Sequence, residues 1–266
     1  MIYAIGDIHG KREMLKLTLN WIKSVIKPED TVVFVGDYID RGEDSKGVVD
    51  DVLAFCDEHP NTECLMGNHE AMMISAYDEM LAAKERNPDN TDLGHEFDLW
   101  SYNGGIQTMV SYGVDVESAD IHIWYDKISQ DHWDWYRSLQ MEYPEGEYLF
   151  VHAGVLPPGA YWGYGDHLDP RQWVREPFLE FKDPLEENRI IVFGHTPQRS
   201  GKPLVMFNKI GIDTGGVFGG MITTAVLDPE SRGHDRLNFE YHQTADMGTP
   251  TARSLGVKKN VGVNKI

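Results

Sequence analysis

The chain reads as an α/β protein, a sheet core with helices packed on it, and three observations carry that reading. Short apolar runs at residues 2–6, 31–35 and 62–66 each end at or beside a glycine, as buried strands do. Helical patterns fill the two intervals between them, which makes a β-α-β-α-β opening. Beyond a polar, aromatic stretch the strand pattern resumes at 147–151, 189–193, 203–208, 210–213 and 221–227, with an edge strand expected at 236–242.

The elements follow in order. After the first strand, residues 11–26 place Leu15, Leu19, Ile22 and Ile26 at helical spacing. The second strand is the β-branched run from Thr31 to Val35, and Ser45 is the expected cap of a helix with Val48, Val49, Val52 and Phe55 on one face. The third strand ends at Gly67, and His69 to Leu81 is helical until Asn87-Pro88-Asp89-Asn90 breaks it. Residues of about 78–138 read as a mainly helical insertion over the sheet, with Trp100, Tyr102, Trp124, Trp133 and Trp135 forming mostly its own small core. Residues 1–242 are expected to form one domain, and 243–266, polar and without periodicity, a flexible tail.

Length and charge narrow the function. A chain of 266 residues is long enough for one large domain with a buried core. Its 43 acidic and 24 basic residues give a net charge of −19, which repels nucleic-acid phosphates and disfavours a duplex-binding role. A phosphate substrate stays open, because bound divalent cations reverse the sign locally. Cys56 and Cys64 are the only cysteines; they read as small buried hydrophobes, not as a disulfide framework. With no signal-peptide pattern and no run of membrane-span length, no membrane partner and a cytoplasmic location are expected.

Five short motifs close strand-like runs in one order. They are Gly6-Asp7-Ile8-His9-Gly10, Gly36-Asp37-Tyr38-Ile39-Asp40-Arg41-Gly42, Gly67-Asn68-His69-Glu70, His152-Ala153-Gly154 and Gly194-His195-Thr196. Strand ends are where open α/β sheets place their sites. An isolated Asp-X-His is more often a turn aspartate beside a surface histidine. Five motifs in series supply aspartate, histidine and asparagine donors in numbers that suit two metal ions. Such an oxygen- and imidazole-rich set, without thiolate, suits manganese, iron or zinc better than calcium. With only Asp7 and Asp37 ionised, two divalent ions leave a residual charge of about +2, which attracts a phosphate dianion.

Paired metals about 3.5–4 Å apart hold a bridging water and stabilise an in-line displacement at phosphorus. His69 lies beside a ligand and is a candidate acid for the leaving oxygen, Asp40 is suited to hold its imidazole, and Arg41 to fork onto phosphate oxygens.

These motifs resemble the phosphoprotein phosphatase family of calcineurin-like metallophosphoesterases, over residues 1 to about 228. The chain is most similar to the bacterial and phage branch, which also carries Trp173-Val174-Arg175-Glu176 and the Asp213-Thr214-Gly215 turn. The resemblance implies a sandwich of two mixed β-sheets flanked by helices. It assigns Asp7, His9 and Asp37 to one metal and Asp37, Asn68, His152 and His195 to the other. It makes His69 with Asp40 the acid pair and has Arg41 and Arg175 grip the phosphate. The eukaryotic branch carries a tyrosine-bearing loop near its last strands, where this chain has only Ile212-Asp213-Thr214-Gly215-Gly216-Val217.

The activity implied is metal-dependent phosphomonoester hydrolysis of the serine/threonine protein phosphatase type, with manganese the leading metal. Its substrate would be a phosphorylated protein or peptide, or a small phosphoester. Dinucleoside polyphosphate hydrolases share the motifs and are the alternative; they often lack the aspartate before the arginine, and Asp40 and Glu70 tilt against them. A catalytically inactive binding scaffold predicts a missing ligand or acid, and none is missing.

Overall fold

Two-residue alternation in the first strands decides how the layers stack. A computed structural model describes residues 1–164, 168–246 and 252–260. Strands β1 (Ile2–Ile5), β2 (Thr31–Phe34) and β3 (Thr62–Cys64) lie parallel, joined by helices α1 (Arg12–Val25) and α2 (Ser45–Glu58). Ile2, Ala4, Val33 and Val35 enter one apolar layer, while Tyr3, Ile5, Val32 and Phe34 enter another on the opposite face. That second layer is filled by Leu15, Leu19 and Ile22 of α1 and by the Val48, Val49, Val52 and Phe55 face of α2.

Helix α3 (Asn68–Arg86) leads into the insertion. There α4 (His95–Trp100) runs through a π-helical turn at Ser101–Gly105 into α5 (Ile106–Ser111), and α6 (Gln130–Ser138) follows a 3-10 segment at Ala119–Lys127. Trp100, Trp124, Trp133 and Trp135 are buried, but not in a core of their own: they extend the layer between the first sheet and its helices. Tyr102, by contrast, is 91% exposed.

A second sheet comprises β4 (Glu142–Glu145), β5 (Tyr148–Val151), β6 (Ile190–Phe193), β7 (Leu204–Met206) and β8 (Lys209–Gly211), in the order β4-β5-β6-β8-β7. Its three inner strands are parallel and its two edges antiparallel. Phe150, Val192 and Ile210 face Ala4 and Val33 of the first sheet across the inter-sheet core. The short helix α7 (Pro170–Trp173) lies between β5 and β6. The chain then returns through β9 (Asp213–Thr214), β10 (Met221–Leu227) and β11 (Phe239–Asp246), with β10 antiparallel to β1. The outcome is two mixed sheets flanked by helices. Among the described residues no helix is long and apolar enough to cross a membrane.

Two local expectations need correction, and one strand went unread. Asp44, not Ser45, caps α2, accepting the Gly47 N–H at 2.8 Å. The polar strand β4, with Pro144 and alternating exposure, carries too little apolar signal to be read from sequence. Within the expected tail, β11 runs on to Asp246, and Ala252–Asn260 forms β12, paired antiparallel with β11 and closing that edge of the first sheet. An edge strand is commonly polar and lysine-bearing, so low hydrophobicity at 252–260 does not exclude one. Residues 247–251 and 261–266 of that stretch lie outside the described residues.

Candidate active site

The five motif loops converge where β1, β2, β3, β5 and β6 end. Backbone hydrogen bonds join the first two: Ile8 and His9 N–H both donate to the Asp37 carbonyl, at 3.0 and 2.9 Å, and Gly10 N–H to that of Tyr38 at 2.8 Å. Glu70, in the first turn of α3, holds this assembly from beneath. Its buried carboxylate accepts the N–H groups of Gly67, Asp37, Tyr38 and Ile39 at 2.8–3.2 Å. A side chain at Gly67 would collide with the Asp37 carboxylate.

The loops are strained as well as joined. His9, Asp37, Asp40, Arg41 and His195 all have positive φ, between 48° and 73°, a region that costs non-glycine residues free energy. Left-handed side-chain-bearing residues concentrated at one place mark a site where geometry outranks local comfort.

Asp37 is the centre. One of its carboxylate oxygens lies 3.4 Å from His9 Nε2 and the other 3.3 Å from His152 Nε2. Donor atoms gather in two groups that share Asp37: His9, Asp37 and His69, and Asp37, His152 and His195. Asn68 Oδ1 belongs beside the second, 3.0 Å from His152 Nε2 and 2.8 Å from His195 Nδ1. Asp7 is buried nearby, but its carboxylate accepts the His195 N–H at 3.0–3.1 Å, and it falls outside both donor groups.

The histidines are oriented for cations. Each ties Nδ1 to an oxygen: His9 to Ile39 O at 2.9 Å, His152 to Val35 O at 2.8 Å, His69 to Asp40 at 2.7 Å and His195 to Asn68. This leaves Nε2 as the nitrogen for a ligand in each ring. His195 Nε2 is buried and makes no hydrogen bond among the described residues. Arg41 Nη1 sits 2.8 Å from His9 Nε2, a cationic donor at the nitrogen a metal would use. The donor set fits divalent cations.

Charge is arranged around Asp37. Burial opposes its ionisation, but His152 and His69 outweigh that and hold the carboxyl well below the usual range. Burial, then Asp213 and Asp37, push Asp7 well up. Burial pushes His9 down to about 3 and His69 to about 4, with Arg41 adding to both, while it raises Asp40 to about 7. His152 goes the other way: burial disfavours its charge, yet Asp37 and Asp7 lift it to about 9. Ligating a metal there requires loss of that proton, so metal uptake is coupled to proton release.

The mouth is a cleft of about 150 Å³, lined by Asp37, Arg41, Asn68, His69, Trp173, Arg175 and His195. Arg41 and Arg175 both line it, and Arg175 Nη2 lies 3.4 Å from the His195 carbonyl. The segment after Arg175 is tied to β8, where the buried Lys209 ammonium donates to the Phe178 and Phe181 carbonyls.

Several residues of this site escape motif reading. Trp100 and Thr108, from the insertion, both donate to the Asp40 carboxylate. Phe218, just past the turn compared with the eukaryotic loop, is 64% exposed and stacks 5.4 Å from the Arg41 guanidinium. With Pro197 it also borders a second cavity of about 580 Å³ that carries Arg199. A four-residue spacing over 100, 104 and 108 was the available signal for the insertion residues; Phe218 had none.

Comparison with known proteins agrees with this geometry. The chain is 28% identical over 225 residues to serine/threonine-protein phosphatase 1 of Salmonella typhimurium, covering 84% of this chain and 90% of that protein. It is also 28% identical over 256 residues to the asymmetrical bis(5'-nucleosyl)-tetraphosphatase PrpE of Anoxybacillus flavithermus, covering 86% and 91%. A cold-active protein tyrosine phosphatase structure superposes with a TM-score of 0.55 at 18% identity, over 90% of this chain and 75% of that one, a likeness of fold. The model of the calcineurin-like phosphoesterases matches residues 1–199, three quarters of the sequence, and the chain belongs to that family.

Proposed function

We propose that this protein is a two-metal phosphomonoesterase of the serine/threonine protein phosphatase type. The observation that carries the reading is the buried His69–Asp40 pair, 2.7 Å apart, at the edge of two donor groups that share Asp37. Asp7, His9 and Asp37 are proposed to hold one cation, and Asp37, Asn68, His152 and His195 the second. Manganese is the metal proposed, with iron or zinc as the other fits to this donor set. When bound, the cations polarise a phosphoryl oxygen and lower the pKa of an attacking water.

The chain's own groups do the rest. Arg41 and Arg175 hold the non-bridging oxygens and fix the ester in line. A phosphate dianion beside the His69 ring stabilises its imidazolium against the cost of burial, so substrate binding itself loads the acid. Asp40 keeps the ring turned, and Nε2–H is delivered to the leaving oxygen. The catalytic unit in this reading includes the insertion, since Asp40 is held from there.

One observation favours the second reading, a dinucleoside polyphosphate hydrolase. The 580 Å³ cavity beside the mouth offers an exposed aromatic face at Phe218 and a guanidinium at Arg199, which suit a base and a further phosphate. A substrate panel with manganese separates the two: phosphoserine, phosphothreonine and phosphotyrosine peptides, an aryl phosphate and diadenosine tetraphosphate. The monoesterase reading expects the phosphopeptides to be the better substrates. It also expects His69→Asn to retain both metals while losing about 10²–10⁴-fold in turnover on alkyl phosphates. The loss should be smaller on an aryl phosphate, whose phenolate leaves without full protonation. Equal loss on both would remove His69 as the acid.

A further inference from the structure

Three residues of the insertion, Trp100, Gly104 and Thr108, recur every fourth position through α4, the π-helical turn and α5, and all three close on the Asp40–Arg41 turn. Both turn residues are left-handed, at φ 73° and 68°, so the turn needs support from outside itself. The Arg41 N–H donates to the Gly104 carbonyl at 3.2 Å. Gly104 has φ +114°, and a Cβ there would lie 2.8 Å from Arg41 N, so only glycine lets the helix come this close.

The carboxylate is gripped more tightly still. Asp40 is fully buried, and its Oδ2 receives His69 Nδ1–H at 2.7 Å. The Thr108 hydroxyl donates to Oδ1 at 2.6 Å, and the Trp100 indole N–H lies 3.1 and 3.0 Å from Oδ1 and Oδ2. Thr108 Oγ1 also accepts the Asp40 N–H at 2.9 Å and sits 2.9 Å from Ser45 Oγ, which accepts that N–H at 3.1 Å. One threonine hydroxyl thus fixes both the backbone and the side chain of Asp40. Without it, Oδ1 loses its shortest donor, and the carboxylate plane gains freedom to turn away from the imidazole.

We propose that Thr108 and Trp100 are positioning residues of the acid pair, their hydrogen bonds holding the Asp40 carboxylate in the plane that keeps His69 aimed into the cleft. The inference rests on the reading of His69 as the general acid. It gives the insertion a part in catalysis: the segment that looks like an added lid supplies the outer support of proton transfer. The π-helical turn fits this part, since it lets Trp100 and Thr108 reach one carboxylate from either side of Gly104.

The test sets the hydroxyl against packing. Thr108→Val keeps the branched shape and removes the donor; Thr108→Ser keeps the donor and removes the methyl. Turnover is measured on a phosphoserine peptide and on an aryl phosphate with saturating manganese, alongside KM, bound metal and His69→Asn. Thr108→Val is expected to lose about tenfold in kcat on the phosphoserine peptide and less on the aryl ester, with KM and bound metal within about twofold of the wild type. Thr108→Ser is expected to recover most of that turnover. Wild-type turnover in Thr108→Val, or an equal loss in Thr108→Ser, overturns the proposal, because packing alone predicts serine to be the worse replacement. If His69→Asn shows the alkyl-selective loss and Thr108→Val does not, the proposal falls and the acid reading stands. If His69→Asn shows none, both fall. Should Thr108→Val fail to fold, Thr108→Ala set against Thr108→Ser isolates the hydroxyl, since those two side chains differ only by that group, and the alanine variant must show the same alkyl-selective loss.

Discussion

Asp7, Asp37, His152 and His195 each stand one to three residues past the end of a strand, whereas Trp100 and Thr108 reach the same site from helices 60 and 68 residues beyond Asp40. The two regions deliver chemistry differently. At the strand ends the backbone is bent into left-handed conformations that place donor atoms within reach of one another. In the insertion two helices meet at Gly104, where the backbone leaves the helical region, and reach comes from side chains on either side of that kink. A strained loop needs particular residues side by side and leaves a motif. A helix stripe needs them a turn apart, among others free to vary, and leaves almost none. Motifs therefore reveal the groups gathered at the strand ends, Asp40 and Glu70 among them, and miss the supports that arrive from the insertion.

The largest expected effect lies wholly on the strand-end side. Asp37 stands in both donor groups, whereas the Asp7 carboxylate accepts the His195 N–H and stands in neither. Asp37→Asn should therefore lose most bound manganese and nearly all activity, and Asp7→Asn should retain more of each. Metal analysis of the two purified variants decides it, and equal occupancy would mean that Asp37 does not serve two ions.

Arg175 sharpens the contrast, because it reaches the cleft from a loop that is neither strand end nor insertion. Arg175→Ala should cut kcat/KM by about tenfold to a hundredfold and weaken inhibition by inorganic phosphate, with metal content unchanged. Arg175→Lys keeps the charge without the fork and should recover only part of the loss. Unaltered phosphate inhibition in the alanine variant would place Arg175 outside the binding machinery.

The smallest effect is one of stability. Burial lowers Lys209 to about 8, only partly offset by Glu176, against about 10.4 in an unfolded chain. Between those values the unfolded state binds the proton more tightly, so this group makes the fold more stable as pH rises from about 8 to about 10. Below pH 8 its buried charge weighs against folding. Denaturation of the wild type and Lys209→Met across this window should show the difference shifting toward the wild type, by no more than about 1.4 kcal/mol per pH unit. Parallel curves would show that Lys209 keeps an ordinary pKa.

Much of the frame was legible because buried strands are short, apolar and closed by glycine. The runs at 2–6, 31–35, 147–151 and 189–193 became β1, β2, β5 and β6 within a residue or so. β4 and β12 were not, since an edge strand needs only one buried face and tolerates proline and lysine. The residues whose donor atoms gather, His9, Asp37, His69, His152 and His195, all stand in motifs; Asp7 stands in one too, yet lies outside both groups. Trp100 was visible only as one tryptophan among several, and Thr108 only through its four-residue spacing from Trp100 and Gly104, because a hydroxyl matters here through a partner far along the chain.

The gathered donor atoms come from both sheets. His9 and Asp37 follow strands of the first, and His152 and His195 follow strands of the second. A cation shared by Asp37 and His195 would thus cross-link positions 158 residues apart along the chain, 195 minus 37, at the open end of the inter-sheet core. Such a bond would act as a clasp: it would tie both layers into one cooperative unit, and by mass action every increment of occupancy would add to resistance against unfolding. Stripped of its cations, the fold would keep the apolar layers on both faces of the first sheet, while the histidines and carboxylates stayed crowded at the seam.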